Sequence, residues 1–415
     1  MNIVKGPIIS YRRYWLPEAI VLVLLTLGTV ILFAVTDLDL ATIRPFYHPE
    51  LERPWPVSND PLWLLFYRSA PWITASLAVA GVSLLITGVM RERSRRFRLY
   101  GMFILLCVIL GPGLIINLVL KDHWGRARPR QLVEFGGGSE YSQPLAPFRA
   151  SGKSFPCGHC SVGYLYGIGW WVWRRSHPRW AVASLAAGLV MGTLQGIGRM
   201  TDGGHYLSDA AWAALIALGI THVLYYYVLR IPAREDSRPV LYPLLRQSPR
   251  LKAAVIVSSV LIGAGIIGGG LLANPHSSDL AAHVRLADFP SEPEIFEVTA
   301  DTLDVEISLV AGPPGEIECS GAVHGFGLPN SEFSVAWKFE EKPLPTLHYR
   351  VVPDGLFTDI DGIARIRIPA QDLARIIVRV KHGDITVVDT RRDTEGGKRP
   401  VLDLRTSDGR VWGDT

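Results

Sequence analysis

The feature that most constrains this chain is a set of seven long apolar runs confined to its first 273 residues. They cover about Ala19–Thr36, Ala70–Met90, Tyr100–Leu120, Gly158–Trp173, Trp180–Ile197, Ala210–Leu229 and Ala253–Ala273. A helix needs about 20 apolar residues to cross a bilayer, and only a helix or a closed barrel satisfies its own backbone there. The runs therefore predict an all-α polytopic membrane helix bundle, with six spans in residues 1–229 and a seventh at 253–273. The fourth run is the shortest. No small-x-small cleavage pattern follows the first, so it reads as a retained anchor.

Charge divides where the apolar runs stop. Residues 1–273 carry 27 Lys and Arg against 14 Asp and Glu, a net of +13, whereas residues 274–415 carry 15 against 24, a net of −9. Basic residues interleaved with apolar runs point to a membrane and away from nucleic acid. Lys5, Arg12 and Arg13, the loop RERSRRFR, the loop RRSHPR and the Pro-rich linker 230–252 fall on one side of a seven-span chain. By the excess of Lys and Arg in cytoplasmic loops, that side is the cytoplasm. Residues 274–415 then lie outside it, in the periplasm of a bacterial inner membrane. The third loop is also basic, against the rule, so its cations need another task.

In the tail, Leu303, Val305, Ile307 and Leu309 alternate with polar residues, as do Phe333, Val335, Trp337 and Phe339. A period of two means half-buried strands, so 274–415 reads as an all-β extracytoplasmic domain. GDITVVDT at 383–390 is echoed by DGRVWGDT at 408–415. An offset of about 25 residues suits coils of a β-solenoid. It resembles the strand repeats of auto-transporter adhesin-like bacterial domains, and a sandwich fits the alternation equally well. The domain carries no dense His, Cys or carboxylate cluster; contact with an envelope partner and a cover over the active site are both open as its role.

Three segments carry chemistry: KDHWGRARP from Lys121, FPCGH from Phe155 and GRMTDGGHYLSD from Gly198. In the seven-span arrangement all three lie on the non-cytoplasmic face. Lys121, Arg128 and Arg199 are cations fit to converge on one anion, the arginines as bidentate forks. Pro156-Cys157-Gly158-His159 opens a helix, where free N–H groups accept an anion and Gly158 allows close backbone approach. His205 and Asp209 are four apart, on one helix face. A carboxylate beside an imidazole fixes its tautomer and raises its basicity, as a histidine nucleophile requires. His159 remains as a general acid.

Lys-x6-Arg-Pro, Pro-x-Gly-His and Arg-x5-His-x3-Asp, in that order, resemble the signature of the type 2 phosphatidic acid phosphatase superfamily. The resemblance covers about residues 15–229. It implies a helical membrane fold and a phosphatase that works without cofactor or metal on a membrane lipid phosphate or pyrophosphate. His205 is then the nucleophile and forms a phosphohistidine. Asp209 orients it, and His159 protonates the leaving oxygen and later activates water. Lys121, Arg128, Arg199 and the Cys157-Gly158 turn bind the phosphoryl oxygens. Two positions depart from the family: Gly198 and Cys157 stand where it has serines. A thiol is the weaker donor, so weaker phosphate contact and lower turnover are expected.

Rival readings stay open at this point. A lipid phosphotransferase would use the same phosphohistidine, and a non-catalytic phospholipid sensor would need only the cations. Cys-Gly-His-Cys alone suggests a dithiol oxidoreductase, but no βαβ pattern surrounds it. In an oxidising compartment, Cys157 and Cys160 are candidates for a disulfide that reshapes the phosphate turn. Cys107 reads as a core residue, and Cys319 stands alone in the tail. Trp124 and Arg126 lie off the fixed positions of the first block; Trp124 is a candidate interface aromatic and Arg126 a candidate lipid headgroup contact.

Overall fold

The computed structural model describes residues 12–51, 54–91, 94, 96–146, 152–236, 248–310, 315–369, 373–389, 400–407 and 409–413. Lys5, Arg93, Arg95, most of the linker expected at 230–252 and residues 390, 408, 414 and 415 of the tail echo lie outside them. The chain divides into two compact units, Met1–Gly270 and Leu271–Thr415.

The first unit is helical. Helix α1 covers Arg12–Val35, α2 Leu38–Ile43, α3 Pro61–Arg68 and α4 Ala70–Met90. Helix α5, Arg96–Val108, continues as π-helical winding over Ile109–Lys121 and ends in the short α6, Asp122–Trp124. Then come α7 (Gly158–Tyr164), a 3-10 turn at Leu165–Ile168, α8 (Gly169–Trp173), α9 (Pro178–Met200), α10 (Leu207–Val223), α11 (Ile231–Asp236) and α12 (Pro249–Leu271). Six described helical stretches are long and apolar enough to cross a membrane: Trp15–Val35, Pro61–Met90, Arg96–Lys121, Pro178–Met200, Leu207–Glu235 and Pro249–Leu271.

The fourth expected span, Gly158–Trp173, is helical from end to end as α7, the 3-10 turn and α8, is shorter than these six, and buries every residue of α7. It packs closely on α9. A Cβ on Gly163 would lie 2.8 Å from Gly192 Cα, one on Gly188 would strike the Gly167 nitrogen, and one on Gly169 would lie 2.7 Å from Ser184 Cβ. The pairs run antiparallel along α9. Small residues let the two backbones approach, which is how helices associate where lipid offers no hydrophobic drive.

The exposed apolar side chains of α1, among them Leu16, Ile20, Val23, Leu24 and Ile31, suit a lipid-facing helix. One carboxylate fastens it to its neighbours. Glu18 accepts from Trp170 Nε1 at 2.8 Å and Trp171 Nε1 at 3.2 Å, pairs with Arg174, and lies 3.3 Å from His222 Nδ1. A polar group inside a membrane helix persists only with such partners. In the π-helical continuation of α5, Pro112 supplies no N–H and interrupts the α pattern. The π winding lets Asn117 Nδ2 donate to the Pro112 carbonyl at 2.7 Å.

The second unit is all β. Four coils, β3–β4 (Ile295–Thr302, Asp304–Val310), β7–β8 (Thr346–Asp354, Phe357–Pro369), β9–β10 (Arg375–His382, Ile385–Asp389) and β11–β12 (Val401–Thr406, Val411–Gly413), each give one strand to each of two sheets. Neighbouring coils pair in parallel. That is the solenoid, not the sandwich. Strands β1 (Asn274–Asp279), β2 (Ala282–Arg285), β5 (Glu316–Gly327) and β6 (Glu332–Glu340) add antiparallel pairs at one end. Ile385 pairs with Val411 and Arg375 with Val401, 26 positions apart in each case, so the sequence echo is one coil. Gly383 (φ 145°) turns the corner between β9 and β10, a conformation that favours glycine. Inward residues such as Val298, Ile307, Ile366 and Val378 fill the core.

Candidate active site

Asp209 sits in the first turn of α10 and is fully buried. Its Oδ2 accepts from Ser154 Oγ at 2.6 Å and from the Tyr206 N–H at 3.0 Å, and lies 3.3 Å from His205 Nδ1. Its Oδ1 accepts from Arg126 Nη1 at 2.5 Å. With Nδ1–H turned to the carboxylate, the Nε2 lone pair of His205 is the free one. Burial drives the His205 pKa down to about 4; the Asp209 hydrogen bond opposes this, and the Arg199 and Arg128 charges add to it. The imidazole is therefore neutral near pH 7.

Arg199 lies on the last turn of α9, fully buried. Its Nη1 donates to Asp202 Oδ2 at 2.6 Å, and Asp202 Oδ1 accepts the Gly204 N–H at 3.0 Å. Arg130 approaches the same carboxylate at 3.6 Å. The Arg199 guanidinium lies 4.4 Å from the Tyr67 ring centroid, and the Tyr67 ring is 5.4 Å from that of His159. The buried Arg128 precedes a 3-10 turn, Pro129–Gln131, and its backbone N–H donates to Gln131 Oε1 at 2.8 Å. The structure thus gathers His205, Asp209, Arg128 and Arg199, and ties His159 to them through Tyr67. Lys121 ends the π-helical stretch, half-buried.

The Pro156-Cys157-Gly158-His159 turn opens α7 as expected, and Cys157 N donates to the Asp209 carbonyl at 3.2 Å. Cys157 and Cys160 form the disulfide for which the sequence made them candidates, and this overturns the reading of Cys157 as a thiol donor to phosphate. Cys157 then has no S–H to give, and its sulfur instead accepts the Cys160 N–H at 3.3 Å as the helix N-cap. Gly158 faces the side chain of Asn117: a Cβ there would strike Asn117 Oδ1. Cys107 and Cys319 are unbridged and buried.

Arg126 is also not where its loop position suggested. Its side chain is 0% exposed, bridging Asp209 and Asp39 (Nη2–Oδ2 2.7 Å), so it is no lipid headgroup contact. Trp124 packs on Phe155 and donates to the Pro144 carbonyl at 2.7 Å. Sequence reasoning missed Asp39, Ser154, Tyr67, Asn117 and Asp202. Asp202 lies inside a quoted segment but off its fixed positions, and Ser154 directly precedes another. Asp39 lies in no motif; its one signal is an acid next to an apolar run. Among the described residues no group of three His, Cys, Asp or Glu is placed to hold a metal ion.

Residues 100–232 match the PAP2 superfamily, and that span contains all three blocks. The chain thus carries a PAP2 superfamily domain. It is 34% identical over 135 residues to the lipid A 4'-phosphatase of Francisella tularensis subsp. novicida, covering 31% of this chain and 58% of that protein. The lipid A 4'-phosphatase of Rhizobium leguminosarum is 37% identical over 123 residues, 27% of this chain and 51% of its own. That of Rhizobium etli is 34% identical over 139 residues, 31% of this chain and 51% of its own. The chain spans about half the length of the curated relatives it matches.

Proposed function

We propose that this PAP2-domain protein is an integral membrane phosphatase that removes a phosphate monoester from a phosphorylated lipid, with a lipid A-type glycolipid as the substrate class. The observation that carries the reading is the buried His205–Asp209 pair beside Arg128 and Arg199. Binding an anion needs only the cations; a neutral imidazole held by a carboxylate is a nucleophile in waiting. The named relatives support the lipid A class, and the six apolar helices support a substrate that reaches the site from the bilayer. The active face is the periplasmic one, as the Lys and Arg of the opposite loops argue.

In this reading His205 Nε2 attacks phosphorus in line with the ester oxygen. Arg128, Arg199 and Lys121 neutralise the equatorial oxygens, which is where most of the barrier lowering in phosphoryl transfer originates. His159 gives its proton to the departing sugar oxygen. The phosphohistidine that results is stabilised by Asp209 across Nδ1–H. His159, now a base, takes a proton from water, which attacks phosphorus and releases phosphate. No step requires a metal ion.

The test offers detergent-purified protein, in chelator, a panel of lipid A bearing a 4'-phosphate, phosphatidate and undecaprenyl pyrophosphate. Phosphate release from lipid A, lost by at least about 10³-fold in His205→Ala, is expected. Release that needs added divalent metal, or that survives His205→Ala, overturns the reading.

A further inference from the structure

We propose that Arg126, braced by Asp39, is a positioning residue for the His205–Asp209 pair: it holds the Asp209 carboxylate turned to His205 and balances its charge. The inference deepens the phosphohistidine reading and rests on it.

The geometry is that of a fork between two acids. Arg126 Nη1 donates to Asp209 Oδ1 at 2.5 Å and to Ser208 Oγ at 2.8 Å. Its Nη2 donates to Asp39 Oδ2 at 2.7 Å, and its Nε to the Ser142 carbonyl at 3.0 Å. The guanidinium lies 4.0 Å from the Tyr206 ring centroid. Asp39, on α2, holds the other side: its Oδ1 accepts the Ser208 N–H at 2.9 Å, and its Oδ2 accepts Ser208 Oγ at 2.6 Å and Tyr141 O–H at 3.1 Å. Arg126, Asp39 and Asp209 have side-chain exposures of 0–1%. Water screens nothing there, so each charge depends on its neighbour. The Arg126 contact engages Asp209 Oδ1 and leaves Oδ2, with Ser154 and the Tyr206 N–H, to face His205.

Charge bookkeeping gives the inference a signature. His205 is faced by Asp209 from α10, Arg199 from α9 and Arg128 from the preceding loop. Behind Asp209 stand Arg126 and Asp39, and behind Arg199 stand Asp202 and Arg130. Loss of the Arg126 charge makes the pair more negative, so His205 takes a proton more readily. Loss of the Asp39 charge does the reverse. A purely structural brace would weaken the enzyme in both cases with no opposed movement in pH.

The experiment measures phosphate release from lipid A 4'-phosphate against pH for wild type, His205→Ala, Arg126→Gln, Arg126→Lys and Asp39→Asn, with monodispersity in detergent as the folding check. For Arg126→Gln, the acid limb of kcat/KM rises by about one pH unit or more, and kcat falls about 10²-fold with KM nearly unchanged. For Arg126→Lys, a point charge that reaches one acid at a time, the limb stays in place and kcat falls about tenfold at constant KM. For Asp39→Asn, the limb stays or moves down. A KM increase with kcat retained in Arg126→Lys would make Arg126 a headgroup contact and overturn the proposal. Limbs moving together in Arg126→Gln and Asp39→Asn would also overturn it. If Arg126→Gln does not fold, the Lys variant's split between kcat and KM decides. Wild type that turns over no lipid, or His205→Ala that does, sinks the phosphatase reading itself; wild-type turnover with normal Arg126 variants sinks this inference alone.

Discussion

Gly158 offers the sharpest test of how the phosphate turn is built. Replacing it with alanine puts a Cβ onto Asn117 Oδ1 and 3.2 and 3.3 Å from Asn117 Cγ and Nδ2. Asn117 cannot swing away freely, because Nδ2 is tied to the Pro112 carbonyl at 2.7 Å. Either that hydrogen bond breaks, costing about 1 kcal/mol net, or the first turn of α7 shifts. Overpacking of this kind costs about 1–3 kcal/mol. His159 is the next residue, and a displacement near 1 Å at a reacting group costs about 10²-fold in rate. Gly158→Ala should therefore lower kcat for lipid phosphate release about 100-fold. Asn117→Ala removes the obstacle. The double variant should run within about threefold of Asn117→Ala alone, a coupling of about 2 kcal/mol in the double-mutant cycle. The assay is phosphate release in detergent, with thermal unfolding of each variant as control. If Gly158→Ala costs as much with Asn117 gone as with it present, the steric argument is wrong, and the glycine serves direct approach of the ligand.

The low pKa of His205 predicts that the acid limb of kcat/KM falls near pH 4, not near the 6.5 of an ordinary imidazole; a limb at 6.5 would contradict its burial between Arg199 and Arg128. The sign for stability follows: a depressed pKa leaves the His205 contribution intact above about 6.5 and removes it as pH falls towards about 4. For the disulfide at the start of α7, phosphate release by wild type should differ between oxidised and reduced protein, and the double variant Cys157→Ser, Cys160→Ser should be indifferent to reductant; equal wild-type rates would remove any redox control. In the β unit, burial lifts the Asp304 pKa to about 6. An acid raised above its unfolded value stabilises while protonated, so this unit loses stability as pH rises from about 4 through 6. Asp304→Asn keeps the 2.9 Å bond from the Asp384 N–H and should flatten that dependence, read by hydrogen exchange in β4 and β10.

The three blocks were legible because each spacing is local. His205 and Asp209 share a helix face by virtue of four residues, and Pro156 to His159 form one helix start. What sequence hid was tertiary. Asp39 reaches Arg126 across 87 positions, and no local pattern marks an acid whose partner is a distant buried cation. The 158–173 segment shows in the sequence only as an apolar run, since composition does not tell that glycines at 163 and 167 let it press against α9. In the tail, alternation gave strands but not their stacking. The β3–β4 coil lies between the β7–β8 and β9–β10 coils, out of chain order. Only the β9–β10 and β11–β12 coils, adjacent both in sequence and in space, left a repeat to read.

In the proposed mechanism one imidazole, that of His205, carries the phosphoryl group. Lipid A labelled with 32P at the 4'-phosphate, mixed with detergent-purified protein and quenched in base on the millisecond scale, tests it directly. The expected result is an acid-labile, base-stable protein label that maps to His205, decays at the rate of phosphate release and accumulates in His159→Ala. A label on another residue, or full turnover by wild type with no protein label at any time, would contradict it.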